Sequence, residues 1–130
     1  MLGEVSVVSY FILVVGLLLI AGLNYGLNKA TASGSLVRNN LIGIRTYATL
    51  SSDAAWITGH KAAMPYVRYS AYVGVLGAVT SLVALYLVTR DGTISHNAVY
   101  ALPITFFIVQ LLLLIVASVK ANAAAQTVQE

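Results

Sequence analysis

Three long apolar runs, separated by polar connections, constrain this chain more than any other feature of its sequence. They cover residues 5–23, 70–88 and 99–119. A helix needs about 20 apolar residues to cross a hydrocarbon core of roughly 30 Å, and each run is close to that length. We therefore predict an all-α membrane protein with three transmembrane helices.

The composition agrees with this prediction. Hydrophobic residues make up 59% of the 130 residues and charged residues only 8%, whereas about 25% of a soluble domain is charged. We expect a single membrane domain over residues 1–130. The first run has no Lys or Arg before it and carries Glu4 instead, which favours a retained helix over a cleaved signal peptide.

The distribution of basic residues predicts the orientation in the membrane. With three spans, the N-terminus and the connection 89–98 share one side, and the long loop 24–69 and the tail 120–130 share the other. The second side holds six of the seven basic residues: Lys29, Arg38, Arg45, Lys61, Arg68 and Lys120. The positive-inside rule therefore places the long loop and the C-terminus in the cytoplasm and the N-terminus outside.

The net charge of +3 follows mainly from this topological bias. Basic residues near a membrane surface are also attracted to anionic lipid headgroups. We therefore predict the lipid bilayer as a partner and find no indication of nucleic-acid binding.

Small residues in the second run predict a close helix contact. Ser70, Gly74, Gly77, Ala78 and Ser81 recur at spacings of three and four residues, which makes one helix face small and lets another helix approach closely. The face fits packing within the chain or a contact with a partner protein. In the third run, Gln110 should face another helix, because its amide needs a hydrogen-bond partner inside the membrane.

The sequence contains little that indicates catalysis. All eleven charged residues lie outside the three runs, and the chain has no cysteine. An Asp/His/Ser set can be written with Asp53, His60 and Ser51 or Ser52, but no nucleophile elbow accompanies it, and the glycines fit no phosphate-binding pattern. We predict a protein that is not an enzyme and has no cofactor and no metal site.

The long loop holds most of the polar and aromatic residues. The stretch SSDAAWITGHKAAM predicts a short helix over about 52–64, with a serine N-cap, Asp53 in the first turn, and Pro65 ending or kinking it. We expect this helix to lie on the inner membrane surface, with Trp56 as an interfacial anchor and Arg45 drawn to Asp53 or to lipid phosphates. Asp53, Trp56 and His60 share one face of it.

These loop residues resemble the signature of the SdpI family of bacterial membrane proteins. The resemblance rests on Asn40, Gly43, Arg45, Thr46, Thr49, Leu50, Asp53, Trp56 and His60. It implies a multi-pass protein of the bacterial plasma membrane, of the kind that confers immunity to a secreted peptide toxin and takes part in signal transduction, without catalysis. The chain resembles a short form that lacks additional N-terminal membrane segments, and it has Tyr47 where a proline is common.

Three hypotheses for the loop remain open. In the first, Arg45, Thr46, Asp53, Trp56 and His60 form a cytoplasmic docking surface for a regulator or another membrane protein. In the second, the chain is an accessory subunit of a larger membrane complex, such as a respiratory-chain assembly. In the third, the loop only connects the first two spans and satisfies its own polar groups.

Overall fold

The structure, a computed structural model, describes residues 6–91 and 95–129. Within these ranges the regular structure is entirely helical: α1 (Val7–Ser33), α2 (Asp53–Asp91), α3 (His96–Val99) and α4 (Ala101–Gln126). Three helical segments are long and apolar enough to cross a membrane. They are α1, α2 and Asn97–Gln126, which combines most of α3 with α4. The predicted all-α class with three membrane-spanning helices is confirmed to this extent.

The three long helices form an antiparallel bundle in which α2 is central. Along α1 and α2, Tyr10 bonds to Ser81 and Asn24 to Ser70, so residue numbers run in opposite directions. Ser70 also bonds to Gln110 of α4. The bundle therefore has one end with the α1–α2 connection and the end of α4, which we call the loop end, and an opposite end with the α2–α4 connection.

The helices are longer than the apolar runs that predict them. Helix α1 continues to Ser33, where Gly34 ends it with φ of +74°, and α4 continues to Gln126. The irregular segment between α1 and α2 is consequently residues 34–52, which we call the α1–α2 loop. The predicted loop 24–69 is thus much too long, because residues 24–33 and 53–69 are helical and pack against each other. Most of the predicted tail 120–130 is also helical, and Ala121 and Ala125 in it pack against the same part of α2.

The short helix predicted over about 52–64 is wrong as a separate element. Its start is as expected, since Ser52 Oγ accepts a hydrogen bond from the Ala55 N–H at 3.0 Å. It does not end at Pro65, however, and continues without interruption to Asp91. A proline inside a helix costs about 3 kcal/mol. Buried side chains on both sides of Pro65, including Met64 and Val67, pack against α1 and α4 and hold the helix together.

The small residues predicted to face another helix are buried within the bundle. Gly74 lies where α1 and α4 meet α2, and a Cβ atom there would contact Leu17, Ala21 and Gln110. Gly77 lies against the ring of Phe106, and Ala78 and Ser81 are also buried. This face of α2 is therefore occupied by helices of the same chain.

A polar cluster ties the three helices together beside Gly74. The Asn24 amide donates to Ser70 Oγ at 2.9 Å, and Ser70 Oγ donates to the carbonyl of Gln110 at 3.1 Å. The Gln110 amide donates to the carbonyls of Leu17 and Ser70. The outward faces carry large aliphatic side chains instead, including Ile12, Leu19, Val83, Leu112 and Ile115. This arrangement suits contact with lipid outside and hydrogen bonding inside.

The predicted turn at the opposite end falls partly outside the described residues. Asp91 ends α2, Gly92 is not described, and α3 begins at His96. The turn at Asp91 and Gly92 therefore stays a prediction.

Candidate functional site

The α1–α2 loop folds back along the first turns of α2. It leaves α1 at Gly34, and the Leu36 carbonyl contacts Trp56. It then runs toward the apolar segment 70–88 of α2, where Ile44 bonds to His60 and packs into the cluster formed by Met64 and Val67. From there it returns to Ser52 and the start of α2. A connection of 19 residues without regular structure therefore has a defined path.

Trp56 holds the part of the loop that follows the end of α1, near Leu36. Its side chain is 1% exposed, and its indole Nε1–H donates a hydrogen bond to the Leu36 carbonyl at 2.9 Å. The indole and the imidazole of His60 lie with their ring centroids 4.2 Å apart. Trp56 is thus covered by its own chain, and the prediction of an interfacial anchor does not describe its contacts.

His60 fastens the point where the loop turns back. Its Nε2 accepts a hydrogen bond from the Ile44 backbone N–H at 2.9 Å, and its Nδ1 lies 2.8 Å from the Trp56 carbonyl. Because a backbone N–H can only donate, the neutral ring carries its proton on Nδ1 and donates it to Trp56. His60 lies before the apolar segment 70–88, and burial lowers the pKa of its imidazole below the ordinary value of 6.5.

Gly43 allows the loop to approach these two rings. Its φ of +117° is a conformation that other residues rarely adopt. A Cβ atom at this position would lie 2.8 Å from His60 Nε2 and 2.8 Å from Trp56 Cη2. The close contact and the backbone conformation therefore both require glycine here.

Two threonines, Thr46 and Thr49, hold the part of the loop that leads back to α2. Thr49 is fully buried, and its Oγ1 donates to the Ile44 carbonyl at 2.8 Å and accepts from the Thr46 N–H at 2.9 Å. Thr46 Oγ1 in turn accepts from the Thr49 N–H at 3.1 Å. The methyl group of Thr49 lies against Gly59, next to the Ala121 carbonyl of α4. The loop is thereby attached to α2 close to α4.

Asp53 forms an ion pair with Arg38, not with Arg45. The Arg38 Nε lies 3.0 Å from Asp53 Oδ1, and Arg38 Nη1 donates to the Leu50 carbonyl at 2.9 Å. Arg45 is exposed and takes part in no ion pair among the residues that the structure describes. Of the two partners expected for Arg45, Asp53 is therefore excluded in this structure. No sequence pattern singled out Arg38, which is one of several basic residues in the loop.

The sequence resemblance names Asn40, but the neighbouring Asn39 makes the hydrogen bonds that shape this part of the loop. Asn39 Oδ1 accepts hydrogen bonds from the N–H groups of Leu41 and Ile42, and its Nδ2 donates to the carbonyls of Val37 and Ile42. Asn40 is exposed. Asparagine commonly caps turns in this way. The signature that the loop resembles, N-x-x-x-G-x-R-T, has its asparagine four residues before the glycine. Asn39 stands four residues before Gly43, so this spacing could have identified it.

A cavity of about 480 Å³ lies beside the fastened loop, between the end of α1 and the start of α2. We call it the loop groove. Its apolar lining comes from Val37, Trp56 and Ile57, and its polar lining includes Arg38, Asp53 and Lys61. Its volume is within the range of about 300–1,000 Å³ that is usual for ligand pockets.

The structure brings together only part of the predicted docking surface. Asp53, Trp56 and His60 line the loop groove, but Arg45 and Thr46 do not. Trp56 and His60 are 1% exposed, so they form the floor of the groove and not a projecting face. The edges accessible to a partner come from Arg38, Asp53 and Ile57.

The other polar groups near His60 already have structural roles. Ser51 Oγ donates to the Ala48 carbonyl, and Ser52 Oγ caps α2. Both nitrogens of His60 are bonded to the backbone. Within residues 6–91 and 95–129, no group of three His, Asp or Glu side chains is arranged to hold a metal ion. The polar groups around His60 are therefore engaged in hydrogen bonds within the chain.

Comparison with known proteins identifies one family. The profile of the SdpI/YfhL protein family matches residues 35–120. The match includes the α1–α2 loop almost entirely, all of α2 and most of α4. No curated protein and no solved structure is detectably similar to the chain.

Proposed function

Because this chain belongs to the SdpI/YfhL protein family, we propose that it is a non-enzymatic protein of the bacterial plasma membrane that takes part in immunity to a secreted peptide toxin and in the associated signalling. In this proposal the loop end faces the cytoplasm, where the loop groove binds a segment of a regulatory protein. The observation that carries the proposal is the groove itself, which lies beside a loop that the family profile covers.

The chemistry of the groove suits a polypeptide segment. Its floor is apolar and aromatic, whereas Lys61 and the Arg38–Asp53 pair supply charges of both signs at its edge. An apolar pocket with a few polar groups holds an amphipathic side chain and fixes its direction. The proposed partner therefore inserts an apolar side chain toward Trp56 and presents polar groups to Arg38 and Lys61.

The bonding of His60 and the serines supports a binding role over a catalytic one. General base catalysis requires a titratable group within hydrogen-bond reach of the substrate. Both His60 nitrogens and the hydroxyls of Ser51 and Ser52 are already bonded within the chain. These groups stabilise the α1–α2 loop and the first turn of α2.

The arrangement of α2 favours this proposal over that of an accessory subunit. The subunit hypothesis needs the small face of α2 to pack against a partner protein. That face is buried against α1 and α4, as the contacts of Gly74 and Gly77 demonstrate. A subunit would also copurify stoichiometrically with its complex in mild detergent, whereas the proposed immunity protein should act when it is expressed alone.

The test is survival of a bacterium that a membrane-active peptide toxin kills, with this chain expressed alone. We expect the wild-type chain to raise survival and Ile57→Glu, which adds a carboxylate to the groove wall, to reduce it. Val128→Glu is the matched control, because Val128 is also exposed and apolar at the loop end but does not line the groove. Absence of protection by the wild type would contradict immunity, and full protection by Ile57→Glu would contradict a role for the groove.

A further inference from the structure

The turn of the α1–α2 loop exposes large apolar side chains. We call residues 39–45 the loop tip. Leu41 is 88% exposed and Ile42 is 63% exposed, next to each other at the end of the loop. Exposed neighbouring aliphatic residues on an ordered segment indicate a contact surface, because water disfavours them by about 25 cal/mol per Å².

The loop tip lies on the side of the loop that points toward the apolar segments. Ile44, inside the tip, packs against the buried cluster that includes Met64, Val67 and Ala117. Val67 is three residues from residue 70, where the apolar segment of α2 begins. Through this cluster the tip is packed next to the part of α2 that leads into the apolar segment.

Five backbone groups of the loop tip have hydrogen-bond partners within the chain. The N–H groups of Leu41 and Ile42 and the Ile42 carbonyl bond to the Asn39 side chain. The Ile44 N–H bonds to His60, and the Ile44 carbonyl accepts from Thr49. Unpaired backbone groups are the main reason that irregular segments avoid lipid. These bonds remove part of that penalty from the tip.

The surface around the loop tip is positively charged. Besides Arg38, which is paired with Asp53, five exposed basic residues belong to this end of the bundle: Lys29, Arg45, Lys61, Arg68 and Lys120. Among the described residues, the acidic side chain at the loop end is Asp53, which is already paired with Arg38. A basic surface with an apolar projection is complementary to a layer of anionic lipid headgroups.

We propose that the loop tip inserts Leu41 and Ile42 into the headgroup layer of the bilayer and that Arg45 binds the phosphates of anionic phospholipids there. The loop thereby contacts the membrane at its tip. The loop groove, which is lined by residues 36–38 of the loop, remains accessible. This inference does not depend on the proposed function, because it uses neither the groove nor a protein partner.

A fluorescent label at the tip tests the proposal in the full chain. The chain contains no cysteine, so Leu41→Cys provides a single attachment site for an environment-sensitive dye. The labelled protein is reconstituted in vesicles of phosphatidylcholine alone or mixed with phosphatidylglycerol. We expect quenching by a headgroup-attached lipid quencher in the mixed vesicles. The matched control is Val128→Cys, which is exposed at the loop end and farther from the apolar segments, and should be quenched by aqueous iodide.

The charge requirement is tested by a second pair of variants. Arg45→Gln should lower the equilibrium constant for insertion about fivefold, the factor that corresponds to about 1 kcal/mol per basic side chain near an anionic surface. Arg90→Gln removes the same charge at the opposite end of the bundle and should have no effect.

Two results would overturn the proposal. In the first, iodide quenches the dye at residue 41 as strongly as the dye at residue 128 in both kinds of vesicle. In the second, the dye at residue 41 is shielded from iodide, but the lipid quencher has no effect and the shielding increases with protein density. That outcome would assign the tip to a contact between two copies of the chain.

Discussion

The imidazole Nε2 of His60 accepts a hydrogen bond from the backbone N–H of Ile44 at 2.9 Å. The two residues are sixteen positions apart, and the bond joins α2 to the turning point of a loop without regular structure. Because Nδ1 of the same ring is bonded to the Trp56 carbonyl, the geometry requires the neutral imidazole. A second proton would occupy the lone pair that receives the Ile44 N–H.

Acidification should therefore loosen the α1–α2 loop. The folded-state pKa of His60 is lowered from 6.5 by burial, so well above pH 6.5 the ring is neutral in both states and stability does not depend on its titration. As the pH falls below 6.5, the released ring takes up a proton that the docked ring does not, and the docked loop loses stability. Fluorescence of Trp56, the single tryptophan, should report increasing access of iodide.

The control for this pH dependence is His60→Gln, whose side chain does not titrate. Its Trp56 accessibility should be higher than that of the wild type at neutral pH and should change little as the pH falls. If His60→Gln keeps the wild-type pH dependence, another group is responsible.

Gly43→Ala should destabilise the docked loop by about 1–3 kcal/mol, because the new Cβ meets both aromatic rings and the positive φ becomes strained. Thermal unfolding in detergent, followed by circular dichroism and by Trp56 fluorescence, measures the change. Gly26→Ala is the matched control, since nothing lies within 4 Å of a Cβ there. It should be neutral or stabilising by up to about 1 kcal/mol. Equal effects of the two substitutions would contradict the close contact at Gly43.

Thr49→Val should cost about 1–3 kcal/mol, because it keeps the shape of the side chain but leaves the Thr46 N–H and the Ile44 carbonyl without their buried partner. Chemical unfolding in detergent measures the loss. In Thr105→Val the hydroxyl that is removed bonds only to a carbonyl of its own helix on an exposed face. That variant should change stability by less than about 0.5 kcal/mol, and a similar cost at both sites would count against the Thr49 network.

The Asn24–Ser70 hydrogen bond should contribute a measurable coupling between α1 and α2. A double-mutant cycle with Asn24→Ala and Ser70→Ala should give a coupling of about 0.6 kcal/mol, with about 1.7 kcal/mol as the upper end for such bonds in membranes. A cycle between Asn24→Ala and Thr105→Val should be additive within about 0.5 kcal/mol, because these sites share no partner. Additivity in the first cycle would contradict a stabilising contribution of the Asn24–Ser70 hydrogen bond to the contact between α1 and α2.

The apolar runs predicted the spanning helices because hydropathy over about 20 residues is a strong local signal. The same signal could not predict where the helices end. Residues 24–33 and 53–69 are too polar to be recognised by hydropathy, yet they are helical because their inner faces pack against one another, as the hydrogen bond from Asn28 to the Met64 carbonyl illustrates. Pro65 predicted a helix end because proline is locally unfavourable inside a helix. In the structure, tertiary packing outweighs this local preference.

Sequence reasoning selected Asp53, Trp56 and His60 but not their partners. Helical spacing places these three residues on one face, which is local information. The groups they bond, Arg38, the Leu36 carbonyl and the Ile44 N–H, belong to an irregular segment, and pairing between segments depends on the path of the loop. Backbone groups also carry no residue-specific signal, so contacts with them cannot be read from a sequence pattern.

The length of α2 has a mechanical consequence. At 1.5 Å per residue its 39 residues form a rod of about 58 Å, nearly twice the roughly 30 Å of a hydrocarbon core. The part before residue 70 projects about 25 Å from the apolar segment, and the loop is fastened along it through Trp56 and His60. A change of about 10° in the tilt of the spanning part shifts the far end of this lever sideways by about 4 Å. A change in the tilt of the spanning part therefore displaces the loop groove relative to the membrane surface.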